Sequence, residues 1–273
     1  MDRREVVENA KKHGAVIVGI ASVDRFDQAP VYARPTTTLE DAQSVIVVGV
    51  PIPRGVLETL PSHIWTRLHG LLMGGVTDEI AWNLAVELEA AGFKSVCVGG
   101  LTVGKSIFNK MHDALGGVPY PIHSFETEGE LALNWAGQAA GLGTVGTNSL
   151  LLTKEYGPGV ILGGVITTAK LEPDPLIEED LCTECNACVE KCPAAAMGED
   201  RSYDMVKCFL TNAAEGRLLA TAIEKKDQAV QDFLVKTLIG STEHTPATCI
   251  CGHGCMTACP VDPRKKALKK SKA

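Results

Sequence analysis

The chain has 273 residues, 45% of them hydrophobic and 22% charged, with a formal net charge of −7. These values describe a protein with a true core, long enough for one sizeable domain plus a small module. The acidic balance excludes a protein that coats nucleic acid with its whole surface. The opening MDRREVVENAKKHG is charged and amphipathic. Glu5, Glu8 and Lys11 follow Arg3-Arg4 where a leader would need an apolar stretch, so no secretory signal is expected. The run 156–169 is uncharged but broken by glycine and proline, and too short to span a bilayer. Nine of the ten cysteines fall between positions 182 and 259. Such clustering reads as metal binding in a reducing cytoplasm rather than as a disulfide framework.

Residues 3–13 are predicted as a helix stopped by Gly14, followed by a buried strand over 15–21 (AVIVGIA). A polar loop covers 30–38, and a second buried strand, SVIVVGV at 44–50, meets Pro51 and Pro53. A helix over 57–73 is broken by Gly74-Gly75, and Thr77-Asp78-Glu79 opens a strong helix running to Ala91 with Gly92 as its stop. Residues 94–98 form a third strand, in which Cys97 is expected to be a small core residue without function. The region 99–127, rich in Gly and Pro, reads as loops suited to a ligand. A helix over 128–140 then leads into GLGTVGTNSLLL. The runs 150–153 and 160–168, separated by Tyr156-Gly157-Pro158-Gly159, are predicted to pair as strands across a longer turn. The acidic, proline-containing stretch 172–180 marks a domain boundary, giving a domain over 1–172 and a second over 173–273. Residues 203–210 and 225–238 look helical within an insertion spanning 200–248. The closing DPRKKALKKSK reads as a solvated basic terminus.

The most informative stretch is CTECNACVEKCP, from Cys182 to Pro193. Its C-x2-C-x2-C-x3-C-P spacing is the run that holds [4Fe–4S] clusters in bacterial ferredoxins. One tight loop aims three thiolates at one cubane, and the fourth cysteine, Cys192, is predicted to start a helix that points away and serves a second cluster. A matching half, CICGHGCMTACP, occupies 249–260 and again closes on C-x3-C-P. Two halves predict two clusters with exchanged fourth ligands: Cys182, Cys185, Cys188 and Cys259 for the first, with Cys192 beginning the second. The remaining ligands must come from Cys208, Cys249, Cys251 and Cys255, one more than needed. A regular half would place cysteines at 249, 252 and 255, but Gly252 holds the middle slot. A zinc ribbon also uses paired cysteines, but as isolated C-x2-C pairs, so the triple run plus Cys-Pro favours iron–sulfur. Clusters linked in this way pass single electrons, and the upstream domain is expected to hold the acceptor.

The candidate acceptor site is GLGTVGTNS at 141–149. Gly141, Gly143 and Gly146 let backbone approach a ligand, and Thr144, Thr147, Asn148 and Ser149 add hydrogen-bonding groups. Read from the residues alone, the stretch is equally a glycine-rich helix-to-strand turn. It is not G-x-G-x-x-G between a strand and a helix, which argues against a Rossmann nicotinamide site. His112, His123 and His253 read as loop or core residues rather than proton donors, and Tyr120 is a possible acid without a nameable partner, so no catalytic residue is assigned.

AGLGTVGTNSLLLTKEYGPGVILGGVIT at 140–167, followed by the cysteine run, resembles the epoxyqueuosine reductase family. That family is similar to reductive dehalogenases in pairing a corrinoid-binding domain with a two-cluster ferredoxin module. HGAVIVGIASVDRF at 13–26 resembles the start of its catalytic domain, and the likeness runs over residues 5–262. It implies an α+β fold, a nitroreductase-like α/β sandwich followed by a bacterial ferredoxin-like module with two [4Fe–4S] clusters. It also implies cobalamin between the two, with flavin as the next candidate cofactor. A ligand from the insertion, matching Cys208, would join Cys192, Cys251 and Cys255 at the second cluster, leaving Cys249 spare. The other set uses Cys249 and frees Cys208. The family's acidic residue falls on Thr127, its motif glycine on Gly129 and its helix arginine on Asn134. Threonine cannot donate a proton as a carboxylic acid does, so the resemblance implies a divergent relative with an open substrate. No D-x-H-x-x-G is present, so no histidine ligand to cobalt is expected, and neither is the C-terminal extension of many tRNA-acting members. The leading expectation is a cytoplasmic, cobalamin-dependent reductase fed by ferredoxin or flavodoxin and acting on a small molecule or a modified nucleoside, with no membrane partner and nucleic acid disfavoured as a partner. An electron-transfer protein without its own substrate, or a corrinoid carrier or reactivating protein, are the alternatives. The reductase requires an open cavity near 140–149 and one cluster; the carrier predicts that space filled and a cluster edge exposed.

Overall fold

The computed structural model describes residues 1–29, 33–59, 64, 74–99, 131–204, 207–208, 221, 224–225, 229 and 254–264. Helix α1 (Arg3–Lys12) begins at a capping box, in which the Asp2 carboxylate accepts from the Glu5 backbone N–H at 2.9 Å and Glu5 accepts from the Asp2 N–H at 2.8 Å. Strand β1 (Ile17–Ser22) pairs antiparallel with β2 (Ser44–Pro51), Ile17 facing Gly49 and Ser22 facing Ser44. Short helices α2 (Pro35–Thr38) and α3 (Arg54–Glu58) flank β2 in the chain. Helix α4 (Gly74–Ala90) leads into β3 (Ser95–Val98). Helix α5 (Leu133–Ala139) is followed by the two-residue strands β4 (Thr144–Val145) and β5 (Leu151–Leu152), then by β6 (Val160–Thr167).

The main sheet has the order β1-β2-β6-β3, with all neighbours antiparallel. Its strands read as continuous apolar runs because both faces are covered. Alternate residues go to opposite sides. Ile20, Ile46, Val48 and Val165 pack under α1 and α4 with Val6, Ile80, Leu84 and Leu88. Ala21, Val45, Val47 and Ile166 pack under α5 with Ala136, Ala140 and Leu151. The result is a mixed α/β sandwich. Among the described residues no helix is long and apolar enough to cross a membrane.

Several sequence expectations change. Helix α4 begins at Gly74, three residues before the expected opening, because Thr77 is not its cap. Thr77 is fully buried, packed where β6 has Gly163 and so offers no side chain in the way. Within the helix predicted over 128–140, the described part is helical from Leu133, and 128–130 lie outside the described residues. Of the helix predicted over 57–73, Leu57 belongs to α3 and all but Ile64 of residues 60–73 lie outside them. The predicted pairing of 150–153 with 160–168 does not form. Strand β5 pairs with β4, and β6 is taken on both edges by β2 and β3, while Thr153 and Gly157 close only a local bridge. Cys97 is exposed rather than a core residue, because β3 is the edge strand and its short register gives it one neighbour. Tyr203 pairs with Met197 in an isolated bridge instead of opening a helix, and the helix predicted over 225–238 lies almost wholly outside the described residues.

The stretch expected to be a linker, 172–180, is fastened to the sheet. The Asp174 carboxylate pairs with Arg3 and accepts from the Ile20 N–H at 2.9 Å, and the Asp174 N–H returns a bond to the Ile20 carbonyl at 2.8 Å. This route delivers the chain to Cys182 in a fixed place.

Candidate iron-sulfur site and the adjoining cavity

The loop after Cys182 turns tightly by using left-handed backbone at two non-glycine residues, Glu184 (φ 50°) and Asn186 (φ 54°). Such conformations cost about 1–2 kcal/mol each and persist where surrounding contacts fix them. Asn186 precedes α6 (Ala187–Glu190), which carries Cys188 into a buried position. Cys192 follows α6 and enters a turn, the Ala195 N–H bonding the Cys192 carbonyl at 3.0 Å; it does not start a helix, since Ala195 takes φ 44° there. The Cys192 sulfur accepts from the Ala196 N–H at 3.4 Å.

The second half-motif returns through α7 (Gly254–Ala258), which packs against α6 and anchors in the main core through buried Met256. Cys259, also buried, follows at its end. The chain is then clamped. Asp262 is only 2% exposed and holds Arg264 through Nε at 2.9 Å and Nη2 at 3.0 Å, with Arg54 Nη1 at 3.5 Å. Arg264 also donates to the carbonyls of Ile52 and Tyr156 and lies 5.3 Å from the Tyr156 ring centre. Gly157 (φ 54°) is obligatory beneath this clamp, because a Cβ there would stand 2.7 Å from the Asp262 backbone. The expectation of a solvated basic terminus therefore fails at Asp262 and Arg264; residues 265–273 lie outside the described residues.

These constraints bring Cys182, Cys185, Cys188 and Cys259 to the wall of one small cavity, together with Thr147 and Asn148. Among the described residues no group of three His, Cys, Asp or Glu side chains is placed to hold a single metal ion. In a cubane each thiolate binds a different iron. Burial pushes the Cys182 thiol up, but hydrogen bonding to the Thr147 hydroxyl and to the backbone at Thr147 and Glu184, with the Arg201 charge, outweighs it and favours thiolate. Burial raises Cys188. Cys185 is exposed. Cys192, Cys208 and Cys255 are outside this cavity, Cys192 beside the end of α6 and Cys255 on the adjoining α7. Cys249, Cys251 and His253 lie outside the described residues, as do His112, Tyr120, His123, Thr127 and Gly129.

Of the predicted acceptor stretch, Thr147 and Asn148 are buried at the thiol-lined cavity and Thr144 lines a second one. The space a Cβ would take at Gly141 belongs to the Pro175 carbonyl, at Gly143 to the Leu152 carbonyl, and at Gly146 to the Leu152 side chain. Those glycines serve close packing of the hairpin and the 172–180 segment. Ser149 (φ 57°) closes the hairpin turn, its N–H bonding the Gly146 carbonyl at 2.8 Å. Asn134 bridges α5 to the same hairpin through the Ser149 carbonyl at 3.0 Å and the Leu151 N–H at 3.3 Å.

The second cavity encloses about 710 Å3 between α5, the turn after β1 and residues 176–180. Trp135, Phe26, Leu176 and Ile177 make it apolar, and Arg25, Gln28, Gln138, Thr144, Asp180 and Arg201 add polar groups. The Arg25 Nη1 is held by the carbonyls of Ala139 (2.6 Å) and Asp174 (2.9 Å). Asp180 joins the two cavities. It accepts from the Cys182 N–H at 2.9 Å, from the Thr144 hydroxyl at 3.3 Å and from Arg201 at 2.5 Å, and Arg201 also reaches Glu184 at 2.9 Å. Desolvation pushes the Asp180 carboxyl up, but these donors hold it below the usual carboxylate range. Sequence reading missed Asp180, Arg201, Arg25 and Trp135. Only the position of Asp180, two residues before the first cysteine, offered a signal.

A ferredoxin-type thiol loop set on a two-faced α/β sandwich, with a second cavity beside it, defines an iron–sulfur protein. Residues 175–197 match the 4Fe-4S binding domain family. The epoxyqueuosine reductase of Bacillus subtilis (strain 168) is 36% identical over 232 residues, covering 77% of this chain and 55% of that protein. That of Gloeobacter violaceus is 43% identical over 84 residues, covering 30% of this chain and 25% of the other. Among solved structures, epoxyqueuosine reductase from Streptococcus thermophilus superposes with a TM-score of 0.56 at 17% identity, over 95% of this chain and 65% of that one. A catabolic reductive dehalogenase superposes with a TM-score of 0.53 at 16% identity, over 92% and 37%. In sequence and in fold the chain resembles the epoxyqueuosine reductases. It spans at most about half the length of these curated relatives.

Proposed function

We propose that this chain is a cobalamin-dependent iron–sulfur reductase, in which a cluster held by Cys182, Cys185, Cys188 and Cys259 delivers electrons to an acceptor in the 710 Å3 cavity. The observation that carries the reading is the open cavity at Thr144, linked to the cysteine loop through Asp180, which accepts from both the Thr144 hydroxyl and the Cys182 N–H. An electron carrier without a substrate has no use for that space. The exposed Cys185 gives a donor such as ferredoxin or flavodoxin a cluster edge to approach. It is also the one feature that the electron-carrier reading shares. A second cluster on Cys192, Cys208, Cys251 and Cys255 completes the relay, in the reducing cytoplasm that exposed thiols require. The sandwich is read as nitroreductase-like.

The cavity fits part of a corrinoid or a small substrate, being of the size of ordinary ligand sites and mostly apolar with a few convergent polar groups. Arg25, Gln138 and Thr144 would hold its polar edge, and Trp135 and Phe26 its flat apolar faces. A solved reductive dehalogenase relative is described as performing B12-dependent dehalogenation, which supports a corrinoid here over a flavin. When bound and reduced, a corrinoid supplies a nucleophilic cobalt for polarised C–O or C–X bonds. The chain's residues supply position and exclusion of water. Asn134, where the family's arginine falls, is committed to the β4–β5 hairpin, so that arginine's role is not filled at this position, and the substrate class stays between a small molecule and a modified nucleoside. Anaerobic purification from a corrinoid-supplied host, with iron, sulfide and cobalt assays, tests the reading. Stoichiometric cobalt supports it; iron without cobalt after attempted reconstitution sinks it in favour of the electron carrier.

A further inference from the structure

Arg201 lines the large cavity and forms ion pairs with two carboxylates on either side of Cys182, whose side chain lines the small one. It arises from a turn closed by its own N–H on the Gly198 carbonyl at 3.1 Å, and it holds φ 65°, a strained conformation for a non-glycine residue. Its guanidinium reaches back across the chain to two carboxylates that flank Cys182 symmetrically, Asp180 two residues before and Glu184 two residues after. Glu184 is itself in the left-handed region. Thus two strained residues face one another through an ion pair, and the cysteine between the carboxylates has its N–H bound to Asp180 and its sulfur 3.5 Å from the Thr147 hydroxyl. The same guanidinium and Asp180 form part of the large cavity's lining. An isolated surface pair contributes little to stability. A pair that spends backbone strain at both ends has another use.

We propose that Arg201 is a positioning residue that fixes the Cys182 arm of the cluster against the large cavity and, as the cation paired with two carboxylates there, sets the cluster's reduction potential on that side. The proposal rests on the reading that Cys182 ligates a cluster. Reduction adds negative charge to the cluster, so a nearby cation favours the reduced form and a nearby carboxylate disfavours it. Arg201→Gln leaves two uncompensated carboxylates beside Cys182, and Asp180→Asn removes one. The two changes therefore shift the potential in opposite directions. A merely structural role would move both the same way, through a loosened loop.

The test is an anaerobic redox titration of the [4Fe–4S] EPR signals in the full-length holoprotein, with iron counted per chain, for wild type, Arg201→Gln, Arg201→Lys and Asp180→Asn. One cluster is expected to titrate at a more negative potential in Arg201→Gln, at a less negative one in Asp180→Asn, and near wild type in Arg201→Lys, which keeps the charge. If Arg201→Gln fails to retain iron, Arg201→Lys and Asp180→Asn still give the sign. Unshifted potentials, shifts of one sign in both charge variants, or Arg201→Lys displaced like Arg201→Gln overturn the proposal while leaving the cluster reading intact. Wild-type protein without a cluster signal overturns both.

Discussion

Replacing Asp262 with alanine strikes the clamp that returns the C-terminal half-motif to the sandwich. Asp262 is 2% exposed, and its partners Arg54 and Arg264 are 17% and 20% exposed at their side chains. Asp262→Ala removes the buried carboxylate between two mostly buried guanidiniums, leaving Arg54 only Glu58 at 3.4 Å and Arg264 only the Ile52 and Tyr156 carbonyls. Breaking a buried pair in this way costs about 3–5 kcal/mol, and the residual exposure of the arginines points to the lower end, about 3 kcal/mol. That is about a hundredfold in the folded population, and at least about 6 °C in Tm for a chain of this size. Because Cys259 lies three residues upstream, the segment that detaches is the one carrying a cluster ligand, so iron is lost together with stability. Anaerobic thermal denaturation and iron per chain, measured beside Arg4→Ala in an exposed helix pair worth less than about 0.5 kcal/mol, provide the readout. Asp262→Ala with unchanged Tm and full iron would refute the view that this ion pair holds the second half-motif in place.

Gly157→Ala, which places a Cβ 2.7 Å from the Asp262 backbone at φ 54°, is expected to destabilise by more than about 1 kcal/mol in the same assay; Gly55→Ala, with nothing within 4 Å in α3, is expected to be neutral or slightly stabilising. Cys188→Ser should abolish one cluster's visible absorption, whereas Cys97→Ser at the exposed sheet edge should leave iron and spectrum unchanged. The lowered pKa of Asp180 means that its contribution is fully present above the unfolded value of about 3.9 and is lost as pH falls through the folded value. Iron retention followed from pH 7 to pH 3 should therefore fall in that acid window for wild type, and Asp180→Asn should flatten the part of the fall that this carboxylate supplies.

The elements whose burial is one-dimensional were legible from sequence: α1, and the runs that became β1, β2 and β6. Their partners were not. The turn at 156–159 looked like a hairpin because strand propensity lies on both sides, yet β6 is claimed by β2 and β3, a choice made by the whole sheet. The cysteine spacing located the candidate cluster loop because ligand geometry is local there. Asp174 and Arg201 act through residues remote in sequence, so nothing near them announced their roles, and Asp180 and Asp262 each combine a neighbour two residues away with partners across the fold. Asp262 and Arg264 even hid within a stretch whose average charge reads as a solvated tail. The glycines at 141, 143 and 146 showed the reverse case, a motif that resembled a ligand loop while packing accounts for each close approach.

Iron and acid-labile sulfide per chain in anaerobically purified wild type and Cys259→Ser test most directly whether thiolates from both half-motifs cage one cluster. The account predicts about eight irons for two cubanes in wild type, falling to about four when the exchanged ligand of the first is removed. Zinc in place of iron, or a Cys259→Ser protein with its full iron content, would contradict it.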